Sequence, residues 1–167
     1  MNEAFEFAIY SVLIGAGATA LVDLWTLALN RIFGVPLMNW GMVGRWFGHM
    51  PQGRLFHESI AQVTPIPNEL ALGWTAHYAI GIGFAGVLLA ILGLDWARQP
   101  TLLPALCFGL VTVVAPFFLL QPGLGMGIAA AKAPQPMIAR LRSLLSHTVM
   151  GLGFYLAALL LAVIGPL

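Results

Sequence analysis

Five side chains carry metal-ligand chemistry: Asp23, His49, His57, His77 and His147. Asp23, His77 and His147 each interrupt an apolar run, whereas His49 and His57 sit in the one long stretch that is not uniformly apolar. Imidazole nitrogens and carboxylate oxygens are what Zn²⁺ or Fe²⁺ takes in sets of three or four. None of H-E-x-x-H, H-x-x-x-H or E-x-x-H occurs, so any ligand set must be assembled across separate elements. Haem is the other cofactor these residues suggest. His77 and His147 could be its axial ligands, with Gly81 and Gly151 one turn further on letting a flat ring approach the backbone. A third use of the same groups is to pass an ion or a proton, with Asp23 as a ligand or as the acceptor that fixes an imidazole tautomer.

The elements that must position these residues follow from composition. Charged residues make up 8% of the 167, apolar residues 60%, and the mean hydropathy is +0.92. An ordinary soluble domain carries about 25% charge, so the expected solvent is a lipid bilayer. A spanning helix needs about 20 apolar residues, and four segments meet that length, at about 7–30, 70–94, 99–120 and 143–166. The expected fold is all-α: a single membrane domain, four transmembrane helices in an up-down bundle. The third helix is expected to stop at Leu120, before Gln121-Pro122.

Lys and Arg in the connections set the orientation. Loop one, about 31–69, carries Arg31, Arg45 and Arg54, and loop three, about 121–142, carries Lys132, Arg140 and Arg142. Both loops are expected on the cytoplasmic side of an inner membrane, with both termini periplasmic. In loop one, Trp40, Val43, Trp46 and Phe47 recur at near-helical spacing, which predicts a short interfacial helix seating its aromatics at the headgroup level. Asn68 is the expected N-cap of the second span. Asp23, His77 and His147 then fall at similar depths in the cytoplasmic half, forming a pocket roofed by loop one with His49 and His57.

Small residues recur every four positions on the same helices: Ser11, Gly15, Thr19 and Asp23 on the first, Gly73, His77, Gly81 and Ala85 on the second. Such faces let helices pack closely, and the polar residues on them have an alternative reading as interhelical hydrogen bonds with no further role. Spans two and four share H-x-x-x-G-x-G-F, at His77 to Phe84 and His147 to Phe154, which leaves open two duplicated helical hairpins.

Several classes are disfavoured. A net charge of +1 with scattered cations gives no phosphate-neutralising stripe for nucleic acid. The lone Cys107 removes a disulfide framework and a cysteine zinc site. The acidic start, Glu3 and Glu6, is unlike a cleaved signal peptide, so the first span is expected to be retained, and the last residues show no lipid-anchor motif. Gly123, Gly125 and Gly127 resemble a phosphate loop only in their glycines and read as flexible backbone near the interface. Ser143 and Ser146 beside His147 lack a visible base and oxyanion site. Arg45, Arg140 and Arg142 read as headgroup anchors.

Gly17-Ala18-Thr19 with Asp23 and Trp25, Val43-Gly44-Arg45-Trp46 with Gly48-His49, Gly73-Trp74 with His77-Tyr78, Gln121-Pro122 with Gly125 and Gly127, and 139–144 with His147 together resemble the bacterial membrane family called domain of unknown function 2938. The resemblance covers nearly the whole chain and implies a polytopic inner-membrane protein, without an activity or cofactor. Three functions stay open. The first is a cytoplasm-facing His/Asp pocket that binds a transition metal or haem or passes an ion or proton. The second is an intramembrane metal-dependent hydrolase acting on a lipid-like substrate. The third is a structural or assembly subunit of a membrane complex. Four spans are few for a monomeric transporter, so transport would imply a homo-oligomer.

Overall fold

The computed structural model describes residues 2–165. The chain is all-helical, and among the described residues four helices are long and apolar enough to cross a membrane. Helix α1, Glu3–Phe33, starts earlier and ends later than the expected 7–30 because both ends are capped. The Asn2 side chain accepts from the Ala4 N–H at 3.1 Å, Glu3 and Glu6 sit in the first turn, and Gly34 in the left-handed region turns its N–H back to the Asn30 carbonyl. Helix α2 is Trp40–His49, where a short loop helix is expected, capped by the Asn39 side chain on the Met42 N–H.

Helix α3, Glu69–Leu92, ends two residues before the expected 94 because Gly93 takes φ 80° and breaks the ladder. Asn68 precedes it and its carbonyl accepts from the Leu72 N–H, but with φ 57° rather than the extended backbone of an ordinary N-cap. A short α4, Leu94–Arg98, follows. The third crossing does not begin at 99, since Pro100 keeps Gln99 out of the helical region. It comprises α5 at Leu102–Val111, a π-helical turn at Pro116–Leu120 and a single turn, α6, at Gln121–Gly123. The helix therefore continues past Leu120, the stop expected from Pro122. Helix α7, Pro136–Ile164, opens on a proline at its first position. Pro166, the expected last residue of the fourth span, lies outside the described residues.

Contacts cluster into two bodies. The first comprises 1–35, 78–112 and 146–167, and its core joins Tyr10, Ile14 and Ala18 of α1 to Ala85, Leu88 and Leu89 of α3 and to Met150, Phe154 and Ala158 of α7. Its outward faces keep large apolar side chains such as Leu24, Leu160 and Val163 exposed, as lipid contact requires. Apolar burial gains little between helices already in lipid, so packing rests on close approach. A Cβ on Gly15 would strike the backbone of Gly81 and Ile82, and one on Gly81 would strike the Thr19 hydroxyl. Gly83, on the same helix, faces open space.

The second body comprises 36–77 and 113–145. Its core is smaller and gathers Trp46, Ile60 and Leu124. Of the aromatic stripe on α2, Trp40 and Phe47 are half-buried. Val43 and Trp46 are buried in protein, and the Trp46 indole N–H donates to the Leu55 carbonyl at 2.8 Å. The loop that follows α2 folds back on it and covers its aromatic face.

Gly15→Ala is expected to lower stability by about 1–3 kcal/mol, as overpacking does. Gly83→Ala should be neutral or up to about 1 kcal/mol stabilising, from helix propensity alone. Equilibrium unfolding of both variants in the same detergent compares them directly.

Candidate functional site

In the first body the polar groups are held by neighbouring helices. The Tyr78 hydroxyl of α3 donates to Asp23 Oδ2 of α1 at 3.0 Å. On α7, His147 Nδ1 lies 2.7 Å from Thr112 Oγ1, just after α5, and that hydroxyl also bonds the Gly109 carbonyl. With the hydroxyl donating to Gly109, His147 must donate from Nδ1, which leaves Nε2 as its lone-pair nitrogen. Gly109 permits this closeness, because a Cβ there would meet the backbone of Gly151.

In the second body His77 stacks on Trp40 with ring centres 3.9 Å apart and meets Trp74 edge-on at 5.8 Å. The largest polar assembly centres on Arg45. Its guanidinium forms two 2.9 Å bonds to the Glu69 carboxylate and also donates to the carbonyls of Ile60, Ala61 and Val63. The bonds to Glu69 raise its pKa above the ordinary arginine value, so it stays charged at any physiological pH. Arg45 is thus a clamp on loop one rather than a headgroup anchor. Arg140 likewise donates to the Ala129 carbonyl at 2.8 Å.

The clamped loop brings His49 and His57 together, with ring centres 6.1 Å apart. His57 Nδ1 lies 3.0 Å from the Gly123 carbonyl and His49 Nε2 lies 3.1 Å from the Thr64 carbonyl. A carbonyl only accepts, so both nitrogens carry hydrogen. In the neutral rings the remaining nitrogens, His57 Nε2 and His49 Nδ1, are then acceptors. His57 Nε2 is buried without a hydrogen-bond partner, and His49 Nδ1 lies 3.4 Å from Gln52 Oε1, an amide oxygen that is itself an acceptor and so offers it no hydrogen in this tautomer. Backbone carbonyls that fix the tautomer behind a ring nitrogen are the usual support of a histidine ligand. Among the described residues no three His, Cys, Asp or Glu side chains gather closely enough to hold one metal ion. Of the five candidate ligands, His49 and His57 are a pair whose rings meet within the second body.

The glycine-rich turn of loop three is bonded throughout: Met126 N–H to Gln121 O, Lys132 N–H to Met126 O, and Ile60 N–H to Leu124 O. It carries the Gly123 carbonyl that orients His57. Four partners have no local sequence signal of their role, namely Thr64, Thr112, Gln121 and Ser143. Gln121 is a buried amide in an apolar run. Its side chain donates from Nε2 to Ser143 Oγ at 3.1 Å.

A family model described as a protein of unknown function, DUF2938, matches residues 12–161. The chain belongs to that family. No curated protein and no solved structure matches it. As a DUF2938 member with four membrane-crossing helices, it is an integral membrane protein in a lipid bilayer environment.

Thr112→Val should cost about 0.6–1.7 kcal/mol, the range of interhelical hydrogen bonds in membranes, read from unfolding in detergent. Arg45→Ala should open loop one, so that tryptic cleavage after the exposed Arg54 rises several-fold while the helical circular dichroism is retained.

Proposed function

We propose that this protein binds a transition-metal ion at the cytoplasmic face of a bacterial inner membrane, through His57 and His49, and hands it on rather than storing it. The observation that carries the reading is His57 Nε2, a buried lone pair whose tautomer is fixed from behind by Gly123 and which lacks a partner. A metal–nitrogen bond of about 2.0–2.1 Å places each ring centre roughly 3 Å from the ion. Ring centres 6.1 Å apart therefore suit one shared ion in near-linear geometry, or a tetrahedral one after a closer approach of about 1 Å. Imidazole donors favour zinc, copper, iron or nickel. With two protein nitrogens, the remaining positions fall to water and to Gln52, an open shell that suits an exchanging ion better than a structural one.

The side follows from charge. The second body carries Arg45, Arg54, Lys132, Arg140 and Arg142 against Glu58 and Glu69, whereas the first carries an excess of acids. Cation-rich loops tend to be retained in the cytoplasm, which supports loops one and three on that side and both termini in the periplasm. In this reading Asp23, His77 and His147 orient and lock helices. A chain of four crossings acts as a homo-oligomer or within a larger complex.

Zn²⁺ and Co²⁺ binding by the detergent-purified protein tests the proposal. About one ion per chain is expected, with affinity reduced at least 10–100-fold in His57→Ala and in His49→Ala, roughly the effect of losing a supporting partner alone. His147→Ala should bind as the parent does. Equal binding by His57→Ala would overturn the assignment. So would a haem absorption band lost in His77→Ala.

A further inference from the structure

The second body holds another buried polar atom without a partner, and its chemistry is different. Gln121 is 7% exposed, its Nε2 donates to Ser143 Oγ, and its Oε1 is enclosed with no hydrogen-bond donor. A polar atom enclosed in this way is costly unless something meets it. It sits where the third crossing departs from α-helical geometry. Pro116–Leu120 is a π turn closed by the Gln121 N–H on the Pro116 carbonyl, and Pro122 has no N–H to offer the turn above it. The break thus carries a buried amide oxygen without a donor, beside a serine hydroxyl on the partner helix that the same amide contacts through Nε2, and a proline at 122 leaves the turn one backbone donor short.

We propose that the Gln121–Ser143 pair at this break is a binding site for a small monovalent cation, sodium being the best match, held by neutral oxygens. Irregular backbone within a crossing is tolerated where it lines a polar cavity, and the freed carbonyls of interrupted helices are a general way to coordinate such an ion. No carboxylate belongs to the pair, and divalent Ca²⁺ or Mg²⁺ sites are built with carboxylates, which disfavours both. The imidazole site takes nitrogen-preferring metals, so the two sites discriminate by donor type and neither depends on the other. Gln121 and Ser143 are binding residues here, and the π turn positions them.

The test is the thermal midpoint of the purified protein in detergent as NaCl replaces choline chloride at constant ionic strength. Ligand that binds only the folded state raises the midpoint with the logarithm of its concentration once above its dissociation constant. The parent should show that rise, and Gln121→Leu should not. Gln121→Glu, which adds a charge at the same position, should half-saturate at lower sodium. If Gln121→Leu does not fold, Ser143→Ala carries the same expectation of a weakened response. An identical midpoint in sodium and choline, as an enclosed water alone would give, overturns the site. So does a full sodium response in Gln121→Leu or Ser143→Ala, or a Gln121→Glu response weaker than the parent's.

Discussion

The backbone of α1 rests directly on the backbone of α3, at Gly15 against Gly81 and Ile82. Lipid tails are as apolar as leucine, so burying side chains between helices gives little net gain there. What holds two such helices is the density of contact and the interhelical hydrogen bonds that close approach allows. Gly109 over Gly151 repeats the arrangement between α5 and α7. At these contacts glycine is required for space, and the polar partners follow from the spacing it sets. Tyr78 reaches Asp23, and Thr112 reaches His147 at 2.7 Å. A methyl group at either crossing would push apart helices whose hydrogen bonds tolerate a few tenths of an ångström at most.

The second body is organised by the opposite physics. Loop one has polar backbone to satisfy, and Arg45 satisfies much of it from one planar group that grips Glu69 and three carbonyls. Trp46 and Ile60 then seal the loop onto Leu124. His49 and His57 gain their fixed tautomers from that closure, since Thr64 and Gly123 are parts of the same folded-back segments. The chemistry of the pair is therefore inherited from a salt bridge that touches neither ring.

Length and apolarity made the four crossings and the loop helix legible, because both are properties of a local window. Helix ends were less so. Gly93 and Pro100 act through backbone conformation, and Pro122 looked like a stop when the chain absorbs it in a π turn and one further helical turn. The aromatic stripe of α2 was visible, but a stripe reads the same whether it meets lipid or protein, and only the return of residues 55–63 decides that Trp46 is covered. All five candidate ligands could be picked out by type. Their partners could not, since Thr112, Thr64 and Gly123 lie 15 to 66 residues away, and sequence spacing carries no record of such neighbours.

A π turn amounts to one residue more than an α-helix would use, and each residue turns an α-helix by about 100°. Everything after Leu120 is therefore rotated by that much relative to an uninterrupted crossing. A family member one residue shorter between Pro116 and Leu120 would have a smooth helix there, with its counterpart of Gln121 facing a different neighbour. Chain length between Pro116 and Leu120 thus sets which neighbour a residue at position 121 meets.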